Sequence, residues 1–231
     1  MIGASGGIGR AVVEHLVVQD NVKNIYSFSR SSAEFDNDKV ISGKVDIVDE
    51  DSIKAAADSV EGDLDIVIVA TGILHAGEIQ PEKSLRDLNL SQFEEVFAIN
   101  TYGPALVAKY FAKRLPRQRR SVFAALSARV GSIDDNQIGG WYAYRASKAA
   151  LNMLIKTTAI EVARKYKEAA IIAIHPGTVD TGLSDPFQDN VPEGKLFSPA
   201  YSTECLLKVI NDADAQKSGK LIAWDGEIIA Y

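Results

Sequence analysis

Strand-like and helix-like segments alternate along the whole chain of 231 residues. Leu64–Ala70 is one of the strand-like segments, and its almost unbroken β-branched run is typical of a strand that is covered on both faces. The alternation contains neither an internal repeat nor a linker. It predicts a single α/β domain over residues 1–231, in which a doubly wound parallel sheet of about seven strands carries helices on both faces.

Apolar spacing, together with capping and turn residues, gives the predicted elements. The predicted strands are Asn24–Ser29, Val40–Val45, Leu64–Ala70, Ser121–Leu126, Ala170–Ile174 and Leu221–Trp224, and the predicted helices are Ile8–Val18, Ser52–Val60, Ser91 to about Leu115, the Tyr144 segment to about Tyr166, and Pro199 to about Asn211. Ser91 and Glu94 form a capping box at the start of the third helix. Gly103-Pro104 predicts a kink in that helix beside Asn100.

Two segments depart from this regular pattern. Only Met1 and Ile2 precede the first glycine-rich turn, where a buried strand normally stands, so we expect either a very short strand or a start that lies a few residues late. Leu183–Leu196 has no apolar period and predicts a mobile loop over a site. Residues 183–197 are therefore the predicted substrate loop.

The composition narrows the classes of partner and ligand. The formal net charge is −6, and because phosphate backbones need a basic face, nucleic acid is not an expected partner. Cys205 is the only cysteine and the three histidines lack ligand spacing, so neither a disulfide nor a metal site is predicted. No apolar run reaches the ~18 residues of a membrane span and no signal peptide precedes the first motif, which predicts a cytoplasmic protein.

Three glycines open the chain in the pattern G-x-x-x-G-x-G. Gly3, Gly7 and Gly9 stand at the start of a predicted helix. Glycines in such a turn let the backbone approach a pyrophosphate, and the helix N-terminus supplies free N–H groups and the positive end of a dipole. The alternative is a flexible glycine-rich loop. Because βαβ alternation follows the turn, we expect a dinucleotide site here, with Ser5 and Ile8 among its contacts.

The end of the next predicted strand bears on the choice of nucleotide. An acid there binds a ribose 2′-hydroxyl, whereas an arginine suits a 2′-phosphate. Ser29 stands where the acid would be, and Arg30 comes next. This pattern favours NADP(H) over NAD(H); the alternative is an ordinary exposed loop arginine.

Tyr144 and Lys148 are four residues apart in a helical segment, and so they lie one turn apart on one face. An ammonium beside a phenol favours the ionised phenol and lowers its pKa from the usual value of ~10. Such a shift would make Tyr144 a usable acid or base near neutral pH. The competing interpretation is a surface tyrosine and a surface lysine with no joint role.

These motifs occur together and in a fixed order along the chain. They are Gly3-x-x-x-Gly7-x-Gly9, Asn100 in mid-helix, Ser127, Tyr144-x-x-x-Lys148 and Pro176-Gly177. The combination resembles the short-chain dehydrogenase/reductase family over essentially the whole chain. Gly139–Lys148 and the short C-terminal section resemble the branch that contains sniffer-type carbonyl reductases and the C-factor cell-signalling protein. The resemblance implies a Rossmann-type NAD(P)-binding fold.

The resemblance also implies roles for individual residues. Tyr144 is implied to exchange a proton with a carbonyl or alcohol oxygen, and Lys148 to lower the pKa of Tyr144 and to bind the nicotinamide ribose. Asn100 is implied to hold a water in a proton relay through Lys148. The implied cofactor contacts are Gly3, Ser5, Gly7, Ile8 and Gly9, Arg30, Asp46 at the adenine, Ala70, Thr71 and Gly72 along the cleft, Tyr144 and Lys148, and Pro176, Gly177, Val179 and Thr181 around the nicotinamide.

The serine that would bind the substrate carbonyl departs from the family pattern. In Ser-Ser-x-x-Gly, counted back from Gly131, the second serine position is Ala128 and the first is Ser127. A shift of one residue along a strand turns a side chain to the opposite face, so Ser127 can serve only where the strand has ended or bulged. Ser127 is the predicted catalytic serine, and Ser132 is the alternative.

Two functions follow from these observations. The leading hypothesis is an NADPH-dependent reductase that transfers hydride from the nicotinamide and a proton from Tyr144 to a small or medium carbonyl compound. The alternative is a regulator that binds NAD(P) and signals through partners with little turnover, which Ala128 and the C-factor resemblance favour. By analogy with the family's helical interface, the helices of Asn100 and Tyr144 predict a homo-dimer or homo-tetramer. The substrate is not predicted.

Overall fold

The computed structural model describes residues 1–31 and 33–231. Its helices and strands are, in chain order, α1 (Gly7–Val17), β1 (Ile25–Ser29), β2 (Val40–Lys44), α2 (Glu50–Asp58), β3 (Ile66–Val69), α3 (Leu90–Phe97), α4 (Gly103–Phe111), β4 (Ser121–Leu126), α5 (Tyr142–Val162), β5 (Ala169–His175), β6 (Thr178–Val179), β7 (Leu196–Phe197), α6 (Pro199–Asn211), β8 (Leu221–Ala223) and β9 (Ile228–Ile229). Across the described ranges, no helix has both the length and the apolar character needed to cross a bilayer.

The central sheet is parallel except at one edge. β3, β4, β5 and β8 pair in turn, β1 pairs with β2, and β9 adds an antiparallel edge strand. Ile2 joins the two parts of the sheet through parallel bridges to Phe28 in β1 and Val69 in β3. The predicted short first strand is thus one central residue, and the predicted α/β sheet with helices is confirmed. β9 was not among the predicted strands, because two residues are too few for a periodic signal.

Alternate residues of the strands face two hydrophobic layers. Phe123 in β4 is buried with the apolar sides of α2, α4 and α5. Val122, the preceding residue, is buried with α1 and α6 on the other face. Because both faces of β4 and β5 are covered, the polar groups of these inner strands are accessible only at the strand ends. The carboxyl edge of the sheet is where ligands of such folds bind.

The segment predicted as one long helix is interrupted. The prediction of a capping box at Ser91 and Glu94 is wrong. The helix begins at Leu90, and its N-cap is Asn89, whose side chain accepts the N–H of Ser91 (2.9 Å). The predicted kink takes the form of a π-helical segment, Ala98–Tyr102, between α3 and α4. Such segments are frequent at functional sites, and Asn100 lies in this one.

The predicted substrate loop contains regular structure that the sequence did not reveal. Asp185–Asn190 forms a 3₁₀-helix, and β7 pairs in parallel with β6. Both elements are too short to give a periodic pattern, so the sequence did not predict them, and the mobility of the loop stays a prediction. The strand pair ties the end of this segment to the chain that follows β5.

Candidate active site

The glycine-rich turn lies at the carboxyl edge of the sheet, between Ile2 and α1. Gly3 has a φ of +89°, in the region that favours glycine, and its N–H donates a hydrogen bond to Phe28 O (2.8 Å). A Cβ built on Gly9 would lie 2.1 Å from Gly3 O, so no side chain fits there. The backbone of the turn can therefore come close to a ligand.

The residues of the turn fit the phosphate groups of a dinucleotide. The N-cap residue of α1 is Gly6, which has no side chain to cap the helix. The N–H groups of the first helical turn are therefore left for another acceptor. Ser5 is exposed and Ile8 half-buried at this mouth. Beside Gly3, the buried hydroxyl of Thr71 has no hydrogen-bond partner among the described residues, as expected of a cleft that takes a polar ligand.

The segment after β5 forms a second wall of the cleft. Thr181 Cγ2 lies 2.6 Å from the position of a Cβ built on Gly7, so Thr181 stands against the glycine-rich turn. Upstream, Pro176 O accepts a hydrogen bond from Ser202 Oγ (3.0 Å), which fixes the start of the segment. This wall contains the residues predicted to border the nicotinamide, namely Pro176, Gly177, Val179 and Thr181.

Arg30 and Asp46 follow neighbouring strands, β1 and β2. Arg30 is exposed and forms none of the ion pairs found in the described part of the chain. Ser29 Oγ donates to Ser31 O (2.6 Å), so that side chain is turned into the loop. Asp46 is half-buried, and its Oδ1 accepts the N–H of Val48 (3.1 Å). The end of β1 thus has a serine followed by an arginine, and neither position carries an acid.

Tyr144 and Lys148 lie on the first two turns of α5. Lys148 Nζ donates a hydrogen bond to Leu126 O at the end of β4 (2.9 Å) and lies 5.8 Å from the centre of the Tyr144 ring. A Cβ built on Gly72 would lie 3.5 Å from both Lys148 Nζ and Asn100 Oδ1. The structure therefore brings Gly72, Asn100, Tyr144 and Lys148 together at the edge that carries the glycine-rich turn.

Asn100 connects the loop after β3 to α5. Its Oδ1 accepts the N–H of Ile73 (2.8 Å), and its Nδ2 donates to Ile73 O (2.8 Å) and to Ser147 Oγ (3.1 Å). Ser147 is the neighbour of Lys148 in α5. The side-chain amide therefore positions both segments, and the water relay implied for Asn100 stays a prediction.

Burial controls the protonation of Tyr144 and Lys148. Tyr144 is 8% exposed, and burial raises its pKa to about 12. Lys148 is 3% exposed, and burial lowers the pKa of its ammonium to about 8. The predicted lowering of the Tyr144 pKa is therefore wrong for this arrangement, because desolvation of the phenolate outweighs an ammonium that points at Leu126 O. Tyr144 is protonated at neutral pH.

The serine predicted to bind the substrate carbonyl points elsewhere. Ser127 Oγ donates to Asn152 Oδ1 (2.7 Å), and Ser132 Oγ accepts the N–H of Asp135 within its own turn (3.1 Å). Ala128 instead belongs to the apolar cluster that surrounds Tyr144. The structure therefore supports neither Ser127 nor Ser132 in this role, because the one-residue shift turns the hydroxyl of Ser127 towards α5 and leaves a methyl group near Tyr144.

An aromatic lid, formed by Trp141 and Phe187, covers Tyr144. The Trp141 ring lies 6.2 Å from the Tyr144 ring and 5.2 Å from the Phe187 ring, centre to centre. On the far side Phe187 contacts the ring of His75 (5.6 Å), and His75 Nε2 donates to Gly182 O (2.9 Å). No role was predicted for these residues, because their contacts join segments that are far apart along the chain.

Comparisons with known proteins agree with this picture. A family model described as short chain dehydrogenase matches residues 1–192. Benzil reductase ((S)-benzoin forming) of Saccharomyces cerevisiae is 29% identical over 89% of this chain and 82% of its own length. C-signal of Myxococcus xanthus is 29% identical over 64% of this chain and 84% of its own length.

Two solved structures superpose on nearly the whole chain. NADPH-bound carbonyl reductase from chicken fatty liver gives a TM-score of 0.83 at 25% identity, and the match covers 100% of this chain and 97% of that one. Carbonyl reductase Sniffer of D. melanogaster gives a TM-score of 0.84 at 18% identity, with the same coverage, and at this identity the likeness concerns the fold alone.

Proposed function

The chain belongs to the short-chain dehydrogenase family, and we propose that it is an NADP(H)-dependent reductase of a small or medium carbonyl compound. One observation carries the proposal: Tyr144 and Lys148 meet Asn100 and Gly72 at the edge of the sheet that also holds the glycine-rich turn. A core needs no such convergence of a phenol, an ammonium and an amide. The family is one of oxidoreductases that use a nicotinamide cofactor, which agrees with this arrangement.

The proposed chemistry uses the protonated form of Tyr144. When bound, the nicotinamide supplies a hydride to the carbonyl carbon. Tyr144 has a pKa raised to about 12, so at neutral pH its hydroxyl carries the proton that the carbonyl oxygen must receive. The carbonyl π bond would be replaced by one new C–H bond and one new O–H bond, in exchange for a C–H bond of the reduced nicotinamide and the O–H bond of Tyr144. The phenolate would regain its proton from solvent after the transfer. Trp141 and Phe187 keep water away from Tyr144 during the transfer.

Lys148 and the glycine-rich turn are proposed to hold the cofactor. Lys148 Nζ is fixed by Leu126 O beside Gly72, and two of its three N–H groups are left to bind a ribose hydroxyl. The first turn of α1 is proposed to bind the pyrophosphate. The remaining predicted contacts, from Arg30 and Asp46 to Ala70 and Thr181, stay proposals of the same kind.

NADP(H) is proposed in preference to NAD(H). Arg30 is exposed after β1 and forms no ion pair among the described residues, and no acid stands at Ser29 to bind a 2′-hydroxyl. The carbonyl reductase from chicken fatty liver, at 25% identity, is described as NADPH-bound.

The relatives also bear on substrate and mode of action. A relative named benzil reductase supports an aromatic ketone as a first substrate to try, and the aromatic lid provides surface for one. The second candidate function is a nucleotide-binding regulator with little turnover. Ala128, which offers no hydroxyl to a carbonyl, and the similarity to C-signal favour it.

The two functions are separated by a titration of the purified protein with NADPH and with NADH, followed by fluorescence. Each complex is then mixed with a panel of aldehydes and ketones that includes benzil. The proposal expects tighter binding of NADPH and its oxidation by at least one carbonyl compound. Binding without turnover on any compound would favour the regulator. Absence of binding of NADPH and of NADH would contradict both functions.

A further inference from the structure

Glu82 is one of two charged side chains that are buried in the described part of the chain, and Lys148 is the other. Glu82 is 2% exposed. It takes part in no ion pair within the described residues. A carboxylate without a cation is costly to bury unless N–H groups satisfy its oxygens. The identity of those donors therefore indicates what the residue is for.

The donors to Glu82 come from two helices. Its Oε2 accepts the backbone N–H of Ala143, in the first turn of α5 (3.2 Å). Its Oε1 accepts Gln92 Nε2 from α3 (2.7 Å). In addition, the backbone oxygen of Glu82 accepts the N–H of Trp141 (2.6 Å). One residue thus binds both the N-cap residue and the first turn of α5.

The start of α5 needs such support. Its N-cap is Trp141, which has a φ of 51° and is the only non-glycine residue with a positive φ among those described. Trp141 provides no side-chain cap of its own. The carboxylate of Glu82 fills that place from a distant segment, and a negative charge there also suits the positive end of the helix dipole.

We propose that Glu82 is a positioning residue for the reaction. It fixes the left-handed Trp141 and the N–H of Ala143, and Tyr144 is the next residue. The Trp141 ring, which covers Tyr144, stands on the segment that these two bonds hold, and of the two only the bond to the Ala143 N–H is made by the Glu82 side chain. This role rests on the function proposed above, since it assigns Glu82 to the placement of Tyr144 and its lid. A buried residue that served stability alone would leave the geometry at Tyr144 unaffected once the protein is folded.

The test uses the full chain with Trp224→Phe as the parent, because the chain has two tryptophans and this change leaves Trp141 as the sole reporter. Glu82→Gln and Glu82→Ala are compared with that parent. Glu78→Gln is the matched control, because Glu78 is an exposed acid in the same loop. For each protein we would measure circular dichroism, the NADPH Kd, the kcat and KM for a carbonyl substrate, and acrylamide quenching of Trp141 fluorescence.

The alanine variant should fold and keep its NADPH Kd, but its kcat should fall by about a hundredfold, the size expected when a catalytic group is misplaced by about 1 Å. KM should change far less than kcat. Quenching of Trp141 should increase, because the start of α5 loses the bond between the Ala143 N–H and the Glu82 carboxylate, and the backbone bond from Trp141 to Glu82 O is left to hold the lid residue alone. The kcat of Glu82→Gln should fall by about tenfold. Its amide oxygen still accepts the Ala143 N–H, but its amide NH₂ faces the NH₂ of Gln92, so that two donors meet and the second bond is lost.

Unchanged kcat and unchanged quenching in both Glu82 variants would overturn the proposal. So would a lower melting temperature with normal kcat per NADPH-binding molecule, since that is the result of a purely structural role. If the parent protein did not oxidise NADPH with any carbonyl compound, the proposed function would be overturned instead. In that case the quenching still decides whether Glu82 holds Trp141, and an unchanged value would overturn this inference as well.

Discussion

Lys148 Nζ donates a hydrogen bond to the backbone carbonyl of Leu126 across 2.9 Å. The bond links the end of β4 to the second turn of α5, and Lys148 has no acidic partner in the described ranges. A buried ammonium held by a single carbonyl destabilises a fold. Its retention beside Gly72 and Tyr144 is therefore better explained by a role in the reaction than by stability.

Replacing Lys148 by Met should abolish turnover and stabilise the fold. The pKa of Lys148 is lowered to about 8, so below pH 8 the folded state carries a desolvation penalty of about 3 kcal/mol, from which the lost bond to Leu126 subtracts about 1 kcal/mol. We expect the free energy of unfolding at pH 7 to rise by about 1–3 kcal/mol. The measurement is urea unfolding of the variant and the parent from pH 6 to pH 11.

The stability gained by Lys148→Met should depend on pH. Between pH 8 and the usual lysine pKa of 10.5 the folded state loses the proton before the unfolded state does, so the gain from Lys148→Met should shrink as the pH rises. Lys156→Met, which removes a half-buried lysine further along α5, serves as the control for the loss of a lysine from this helix. A difference that grows with pH would show that Lys148 is not a buried cation.

Ala128→Ser should raise turnover. Ala128 lies in the apolar cluster around Tyr144, where a hydroxyl could donate to the substrate carbonyl. Donors of this type are worth ~2.7–4 kcal/mol, and an introduced one that is not perfectly placed should still raise kcat by about tenfold. Ser127→Ala is the comparison and should cost about 1 kcal/mol of stability through the lost bond to Asn152, with kcat kept. If Ser127→Ala removed turnover while Ala128→Ser changed nothing, the assignment of these two positions would be reversed.

Arg30→Ser should weaken the binding of NADPH alone. A guanidinium that contacts a 2′-phosphate typically contributes about 1.4 kcal/mol or more, so the NADPH Kd should rise by about tenfold while the NADH Kd stays constant. Lys23→Ser removes the same charge at the other end of β1 and is the control. Equal losses for both nucleotides, or a loss in the control as well, would exclude a specific phosphate contact by Arg30.

The predicted homo-dimer or homo-tetramer can be tested on the outer face of α5. Met153 and Ile160 are 65% and 57% exposed, and they lie seven residues apart on one face of the helix. Ile160→Glu should shift the mass in light scattering from an oligomer to the monomer, because a charge in an apolar contact is costly. Val18→Glu, at an exposed apolar residue after α1, should not. If the unmutated protein were a monomer at working concentration, the prediction of a homo-oligomer would be wrong.

Local sequence patterns were enough for the framework of the site. The glycine-rich turn and the Tyr144–Lys148 pair depend on spacings of a few residues, so their places could be predicted. The contacts of Glu82 with Ala143 and of Phe187 with Trp141 could not, because they join segments that are 40 or more residues apart.

The protonation of Tyr144 shows the same limit. Its direction of pKa shift depends on how much water the surrounding packing excludes, and the four-residue spacing to Lys148 carries no information on that. The sequence likewise did not determine the direction of the Ser127 hydroxyl, because this direction depends on where β4 ends. In each case the missing information was tertiary packing, and the sequence pattern gave only the candidates.

The most direct test of the proposed function is the rate of NADPH oxidation, with the most active carbonyl compound, by Tyr144→Phe beside Tyr142→Phe. Tyr142 is a half-buried tyrosine on the same turn and controls for the loss of a phenol. We predict that Tyr144→Phe keeps its NADPH Kd and loses about a hundredfold or more in kcat, while Tyr142→Phe keeps both. Full turnover in Tyr144→Phe would contradict the account, because no other group has been assigned the proton.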